Sequence, residues 1–207
     1  MIEAHVFTAS LPQQRFGPQS GPQSGLQTMQ GGAILDITER YRYSLWRSWD
    51  QTAPKIGFVM LNPSRADASV NDPTIRRCLG FACFWGFGAL EVVNLFAYRS
   101  ARPQDLLQVN DPIGPDNEAY LASLSDRVDR IVLAWGNWGK LQGRNQVALE
   151  ILASETLYCL GTTQTQQPRH PLYLHHSCVP TLFQRSDRSS AGAIPLGRNI
   201  SDLPSPV

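Results

Sequence analysis

The central part of the chain contains four short apolar runs, each of which stops at polar or turn-forming residues. Their length and mostly apolar character are typical of strands buried on both faces of a parallel sheet. Segments with helical periodicity separate the runs, and this alternation predicts an α/β fold. Ligands of such sheets bind beyond the carboxyl ends of the strands, so the residues that follow the runs are candidates for a functional site. The runs cover residues 56–61, 90–93, 131–135 and 157–160, and they are followed by Asn62-Pro63-Ser64, Asn94, Gly136-Asn137 and Gly161.

Two more strands are predicted before these runs, over residues 33–38 and 41–49. In the second, Tyr41, Tyr43 and Leu45 fall on one face, a pattern that suits an antiparallel strand at a sheet edge. We therefore expect a three-layer α/β/α domain with a mainly parallel central sheet and an N-terminal antiparallel strand pair.

The clearest helix start lies at Asp72-Pro73. The Asp72 carboxylate can accept hydrogen bonds from the first free amides of a helix, and Pro73 suits the first helical position because no amide hydrogen is needed there. Gly86 is expected to end this helix. Further helical segments are predicted over residues 103–108, 115–125 and 143–154.

The two ends of the chain differ in composition from its middle. Residues 12–32 are rich in Gln, Gly, Pro and Ser and contain the tetrapeptide GPQS twice in succession. Such segments bury little apolar surface. We expect a disordered tail over residues 1–30, a single α/β domain over 31–182 and a second disordered tail over 183–207.

The net charge and the hydropathy of the chain limit the classes of function that it can have. With 18 basic and 17 acidic residues the net charge is +1, so no global positive field attracts nucleic acid or an anionic membrane. No apolar stretch has the length of a membrane span, and the N-terminus lacks the pattern of a secretory signal. These features predict a cytoplasmic protein with no membrane partner; protein partners stay open.

The cysteines and the common cofactor motifs give no sign of a bound group. Cys78, Cys83, Cys159 and Cys178 include no C-x-x-C pair, whereas structural zinc sites use tight paired spacings and four ligands. The glycine-rich dinucleotide motif, the Walker motif and the serine nucleophile elbow are missing. We expect reduced thiols and neither a metal nor a cofactor.

Asn62 is a candidate because it ends a buried run and precedes Pro63, which holds its backbone extended. Its amide can orient a water or a carbonyl group, and Ser64 and Arg65 supply further donors directly after it. The alternative is a turn-forming asparagine that bonds its own backbone.

Two more candidates follow later strands. Asn94 offers both a donor and an acceptor, the combination that reads a base edge through two hydrogen bonds; the alternative is a structural asparagine. His170 lies between Pro168 and Pro171, which stiffen its loop, and it suits an acid, base or electrostatic role; the alternative is a structural or surface histidine.

Arginines outnumber acidic residues between residues 62 and 102, and this excess can hold phosphates unless it is a solvated face. Phe96 or Trp135 can stack on a planar ring, and the turn at Asn137 offers amides to an anion. The arginines are Arg65, Arg76, Arg77, Arg99 and Arg102, against Asp67, Asp72 and Glu91.

Five strings resemble, in order and spacing, an uncharacterised bacterial and phage family catalogued as domain of unknown function number 1643. The resemblance covers about residues 40–176, and the family name carries no activity. The strings are MLNPSRADASVNDPTIRRC, VVNLFAYRSARPQDL, GPDNEAYL, LAWGNWG and GTTQTQQPRHPLYL.

A more distant resemblance is to the uracil-DNA glycosylase superfamily, in which a strand ending in Asn-Pro, a strand ending in Asn and a late His-Pro occur in the same order. This resemblance implies that Asn62 positions the attacking water, Asn94 reads the base edge and His170 stabilises the departing base anion. It also implies that these three side chains line one cleft at the carboxyl ends of the strands.

Three classes of function remain open at this point. The first is a glycosylase-like hydrolase that acts on a nucleobase in DNA or in a nucleotide, the second a protein of the same fold that only binds nucleotides or nucleic acid, and the third an unrelated small-molecule enzyme. The near-neutral charge favours small or single-stranded substrates, or a flipped base, over tight duplex binding. Under the first class Asn62 and His170 are catalytic, and the substrate-binding residues are Asn94, Ser64, Arg65, Arg77, Phe96, Trp135 and Asn137.

Overall fold

An eight-stranded mixed sheet forms the centre of the protein, as seen in a computed structural model that describes residues 4–11 and 28–185. The strand order is β1-β2-β3-β5-β4-β6-β7-β8. The strands are β1 Ala4–Leu11, β2 Met29–Asp36, β3 Arg42–Ser48, β4 Lys55–Met60, β5 Ala89–Asn94, β6 Arg130–Leu133, β7 Leu157–Cys159 and β8 Thr181–Leu182. The α-helices are α1 Pro73–Phe84, α2 Asn117–Ala122 and α3 Arg144–Ile151, and short 3-10 helices cover Pro103–Leu107, Asn137–Gly143 and Pro171–Tyr173.

The four apolar runs of the sequence form the parallel centre of this sheet. Strand β4 pairs in parallel with β5 and β6, and β6 pairs in parallel with β7. The predicted α/β class is therefore confirmed, and β2 and β3 form the expected antiparallel pair.

The prediction of a mainly parallel sheet is wrong, because four of the seven strand pairings are antiparallel. Strand β3 pairs with β5, and β8 adds an antiparallel strand beyond β7. Uninterrupted apolar runs reveal only strands that are covered on both faces. The two residues of β8, Thr181 and Leu182, are exposed and carry no such pattern.

The N-terminal strand β1 contradicts part of the predicted tail over residues 1–30. It pairs with the whole of β2, from Ala4 opposite Asp36 to Leu11 opposite Met29, and both Leu11 and Met29 are buried. The remainder of that prediction, residues 1–3 and 12–27, lies outside the described residues.

The predicted C-terminal tail also begins too early. Phe183 packs against the core and its amide donates to the carbonyl of Leu157 at 2.8 Å. Residues 186–207 lie outside the described residues, and the division into a domain and two tails otherwise stays a prediction.

The core is divided by the sheet into two apolar clusters. Consecutive strand residues point to opposite faces, so Phe58 belongs to one cluster and Val59 to the other. Leu79 of α1 packs in the first cluster, and Leu121 of α2 and Ala148 of α3 pack in the second. Burial of both faces explains why the parallel strands are mostly apolar.

Helix α1 starts where the sequence predicts it. The Asp72 carboxylate accepts a hydrogen bond from the Ile75 amide at 2.8 Å, and Pro73 is the first helical residue. Gly86, with a φ of 81°, follows the end of the helix. The left-handed conformation suits glycine because it has no Cβ to clash.

Two buried arginines of β3 hold the loop that leads into α1. Arg42 donates from Nη1 to the carbonyl of Ala66 at 2.7 Å. Arg47 donates from Nη2 to the carbonyl of Asp67 at 2.6 Å and from Nε to Oδ1 of Asn71 at 2.8 Å. Since these bonds fix the backbone just before Asp72, they also fix the start of α1 relative to the sheet.

Candidate functional site

A cavity of about 520 Å³ lies at the carboxyl ends of the parallel strands. The residues that follow β4, β5, β6 and β7 all contribute to its wall, as expected for an open α/β sheet. Asn62, Asn94 and His170 line this one cavity. The other predicted site residues on its wall are Ser64, Trp135 and Asn137.

The Asn62 side chain is anchored by its amide nitrogen. Nδ2 donates to the carbonyls of Pro63 at 3.1 Å and Ser100 at 2.9 Å. The reverse orientation would place Oδ1 against two carbonyl oxygens, so the hydrogen bonds determine which way the amide points. Oδ1 keeps its lone pairs for a ligand and can accept a hydrogen bond from a water or a hydroxyl group.

The buried side-chain amide of Asn94 has no hydrogen-bond partner among the described residues. Asn94 is the last residue of β5, opposite Met60 of β4, and its residue exposure is 1 %. Neither of its amide atoms is hydrogen bonded to another of the described residues, and Nδ2 is fully buried. Buried side-chain amides in native proteins are normally satisfied, so an unsatisfied amide on a cavity wall has hydrogen-bonding capacity for a ligand or a water.

We expect Asn94→Leu to raise the free energy of unfolding by about 1–3 kcal/mol, because the change removes an unsatisfied polar group and keeps the volume. Urea denaturation measures this change. The matched control is Asn117→Leu, since Asn117 is equally buried and its Oδ1 also has no partner among the described residues, but its Nδ2 donates to the carbonyl of Leu95 at 2.9 Å. That variant should lose about 1 kcal/mol. A loss of stability in Asn94→Leu as large as in the control would mean that Asn94 has a structural role.

His170 is held as a neutral imidazole with one defined tautomer. It caps the 3-10 helix Pro171–Tyr173, and its Nδ1 accepts a hydrogen bond from the Leu172 amide at 3.3 Å. Burial lowers the pKa of His170 below its ordinary value of 6.5, while the negative charge of Asp72 opposes this shift. With Nδ1 occupied as an acceptor, Nε2 carries the hydrogen and can donate to a ligand at neutral pH.

The loops that carry His170 and Trp135 are tied together. The amide of Gly136, where φ is 73°, donates to the carbonyl of Pro168 at 2.8 Å. The Trp135 indole donates to Oε1 of Gln167 at 3.0 Å, so the ring is a fixed part of the wall. Asn137 is exposed, and its Oδ1 accepts from the hydroxyls of Thr163 at 2.6 Å and Thr165 at 2.8 Å.

Arg42 is a buried cation on the cavity wall that sequence reasoning missed. It is 2 % exposed, its Nε has no hydrogen-bond partner, and no carboxylate of the described residues lies within 4.0 Å of its guanidinium. Burial lowers its pKa to about 9, so it stays charged at pH 7. The alternating sequence pattern predicts that β3 is an edge strand, and an arginine on an edge strand is normally solvated. With β2 on one side and β5 on the other, the same position becomes an interior one.

Asp72 is the second residue whose place at the site was missed. Of the described residues that line the cavity, Asp72 alone carries a carboxylate. Its Oδ1 caps α1, and its charge acts on both Arg42 and His170. The helix-start motif accounts for Asp72 so completely that nothing in the sequence indicates a further role.

Residues 42–172 match the family described as "Protein of unknown function (DUF1643)". The chain belongs to the DUF1643 family. The matched segment begins at Arg42 and ends just after His170, so it contains Asn62, Asp72 and Asn94 as well. No curated protein and no solved structure matches the chain.

Three predicted site residues of this DUF1643 protein lie away from the cavity. Phe96 is fully buried in the core with Leu95 and Leu106, so the prediction that it stacks on a ligand is wrong. The guanidinium of the half-buried Arg77 lies 4.9 Å from the ring centroid of Phe81, and Arg77 does not line the cavity. Arg65 is exposed and lines a neighbouring groove.

Two further observations concern the described part of this DUF1643 chain. No three His, Cys, Asp or Glu side chains within residues 4–11 and 28–185 gather closely enough to hold a metal ion. In the same residues, none of the helices has both the length and the apolar character needed to cross a bilayer.

Proposed function

We propose that this protein is a hydrolase that cleaves the N-glycosidic bond between a nucleobase and its sugar. The observation that carries the proposal is the combination on one cavity wall of a neutral imidazole donor, an unsatisfied buried amide and an anchored amide oxygen. These are the groups of His170, Asn94 and Asn62.

The bond that breaks joins C1′ of the sugar to a ring nitrogen of the base, and its electron pair leaves with the base. The oxygen of a water molecule, held by Oδ1 of Asn62, then bonds to C1′. Asp72 accepts the proton of that water and returns it to the departed base, so the products are a free base and a sugar with a hydroxyl group at C1′. One Asp72 oxygen caps α1, and its second oxygen is available for this proton.

Stabilisation of the departing base is the larger part of the catalysis. Negative charge develops on the base as the bond breaks, and preorganised donors in a cavity with little water stabilise such charge strongly. His170 donates from Nε2, and Arg42 supplies a positive charge without a carboxylate pair among the described residues. Asn94 binds the base edge, and the fixed Trp135 ring forms part of the wall beside it.

The resemblance to the uracil-DNA glycosylase superfamily supports the same assignment. The order Asn-Pro, Asn and His-Pro agrees with that superfamily, and helices packed on both faces of the parallel strands suit its three-layer arrangement. Fold by itself does not determine activity, so the proposal depends on the side chains of the cavity.

A second candidate function is nucleotide binding without catalysis, and the observation that favours it is Arg42. The Arg42 guanidinium is buried, forms no ion pair with a described residue and has an Nε without a hydrogen-bond partner among those residues, so a phosphate can bind it with no chemical step. Binding needs only Arg42 and a surface for the ring, whereas hydrolysis also needs Asn62 and His170.

Base release distinguishes the two functions. The protein is incubated with oligonucleotides that contain uracil, hypoxanthine or modified bases, and with free nucleosides and nucleotides, and released bases are identified by mass spectrometry. We expect release by the wild type and by the control Asn110→Ala, whose side chain is exposed and lies outside the cavity. Asn62→Ala should release little, because the water loses its acceptor. Binding without release for every substrate would favour the second function.

A further inference from the structure

A groove of about 500 Å³ adjoins the cavity and shares part of its wall. Ser64 and Ser100 line both spaces, so a molecule in the groove can continue into the cavity. The remaining wall of the groove is dominated by three arginines, Arg40, Arg65 and Arg99.

None of these arginines forms an ion pair with a described residue, although the charge of Asp67 acts on Arg99. Within the described part of the chain, none of the three has a carboxylate within 4.0 Å, and Glu39 is the one acidic residue of the groove wall. Arg99 donates from Nη1 to the backbone carbonyl of Glu39 at 3.1 Å instead of pairing with its carboxylate. The groove is therefore a concentrated positive surface in a chain whose net charge is only +1.

The backbone holds the groove in shape. The Arg99 amide donates to the carbonyl of Arg40 at 2.9 Å, and the Ser100 amide donates to the carbonyl of Pro63 at 2.9 Å. These bonds connect the segments that carry all three arginines, so the groove does not have to be ordered when a ligand binds.

An exposed aromatic ring stands on the cavity wall outside the groove. Tyr173 is 85 % exposed, although its backbone belongs to the 3-10 helix that His170 caps. Proteins that bind single-stranded nucleic acid combine a positive groove for the backbone with aromatic side chains on which bases stack.

We infer that the Arg40–Arg65–Arg99 groove binds the backbone phosphates of a single-stranded polynucleotide, with one base in the cavity and a neighbouring base on Tyr173. The inference rests on the proposed function, because it names the substrate class of the same site. A mononucleotide would leave most of the arginines and Tyr173 without a partner. Tight duplex binding calls for more phosphate contacts than a groove of three arginines supplies.

Fluorescence anisotropy with a labelled single-stranded oligonucleotide tests the groove. The double variant Arg40→Gln/Arg65→Gln should bind at least about tenfold more weakly. Its plot of log association constant against log salt concentration should be less steep by about 1.4, because two phosphate contacts are lost. The control Lys55→Gln/Arg185→Gln removes two charges at the amino ends of the parallel strands and should bind like the wild type. Tyr173→Ala should also weaken binding about tenfold, while Tyr173→Phe keeps the ring and should not.

Binding of single-stranded and duplex oligonucleotides, and release of the base, are then compared for the same variants. Weaker binding of the matching duplex than of the single strand, and base release from the oligonucleotide that falls in the double variant but not in the control variant, support the inference. Equal binding of duplex and single strand, or double and control variants that lose affinity equally, overturns it. Loss of oligonucleotide binding in the double variant, with no base release from any substrate by the wild type, supports the groove and refutes the hydrolase instead.

Discussion

Replacement of His170 by asparagine should lower the turnover number by about 100- to 1,000-fold, the usual effect of removing one preorganised donor from a developing anion. Asparagine can cap the 3-10 helix Pro171–Tyr173 in place of Nδ1, which accepts from Leu172. It cannot reach the departing base with a donor in the position of Nε2. The variant therefore keeps the hydrogen bond that caps the helix and removes only the one that Nε2 donates to the departing base.

Steady-state kinetics of base release, with thermal denaturation in parallel, measure the effect. His175→Asn serves as the control because His175 is exposed and does not line the cavity. A His170→Asn variant that folds normally and keeps the wild-type turnover number would show that His170 does not stabilise the leaving base.

Phe96→Ala should lower the free energy of unfolding by about 3–5 kcal/mol, because its ring is fully buried in the core and its loss leaves a cavity. Phe96→Leu should cost less, about 1 kcal/mol, since it keeps most of the apolar volume. Urea denaturation gives both values. Tyr173→Ala is the contrasting variant and should change stability by no more than about 0.5 kcal/mol, because this ring is exposed.

The Phe96 variants also test the correction of the predicted site. Phe96→Leu should leave the Michaelis constant for the nucleotide substrate unchanged. A marked rise in the Michaelis constant, with little loss of stability, would show that Phe96 contacts the substrate after all.

The parts of the fold that the sequence predicts are those with a strong local signal. The strands β4 and β5 are mostly apolar, and Asp72-Pro73 defines the start of α1 through a cap and a residue that needs no amide hydrogen. Strand β1 has no such signal, because most of its side chains are exposed and its partner β2 begins beyond a long Gln- and Gly-rich segment. Its pairing is a long-range contact that local periodicity does not record.

The residues of the site also divide into those with a local sequence signal and those without one. Asn62, Asn94 and His170 could be predicted because each is a polar residue that follows a recognisable strand, and such residues meet at one end of a parallel sheet. Arg42 could not, because its burial depends on β3 lying between β2 and β5. Phe96 was misplaced because the chain stays bonded to the end of β4 beyond Asn94: the Phe96 amide donates to the carbonyl of Leu61 at 3.0 Å. The ring therefore remains in the core.

Mass analysis of both products from a single-stranded oligonucleotide tests the proposed N-glycosidic cleavage most directly. The oligonucleotide carries one residue of the base that the substrate panel identifies, and wild type is compared with Asn62→Ala. The account predicts an intact free base and an oligonucleotide that has lost only that base, with an uncut phosphodiester chain, in the wild-type reaction alone. A shortened oligonucleotide, a base altered while still attached to its sugar, or equal release by Asn62→Ala would contradict it.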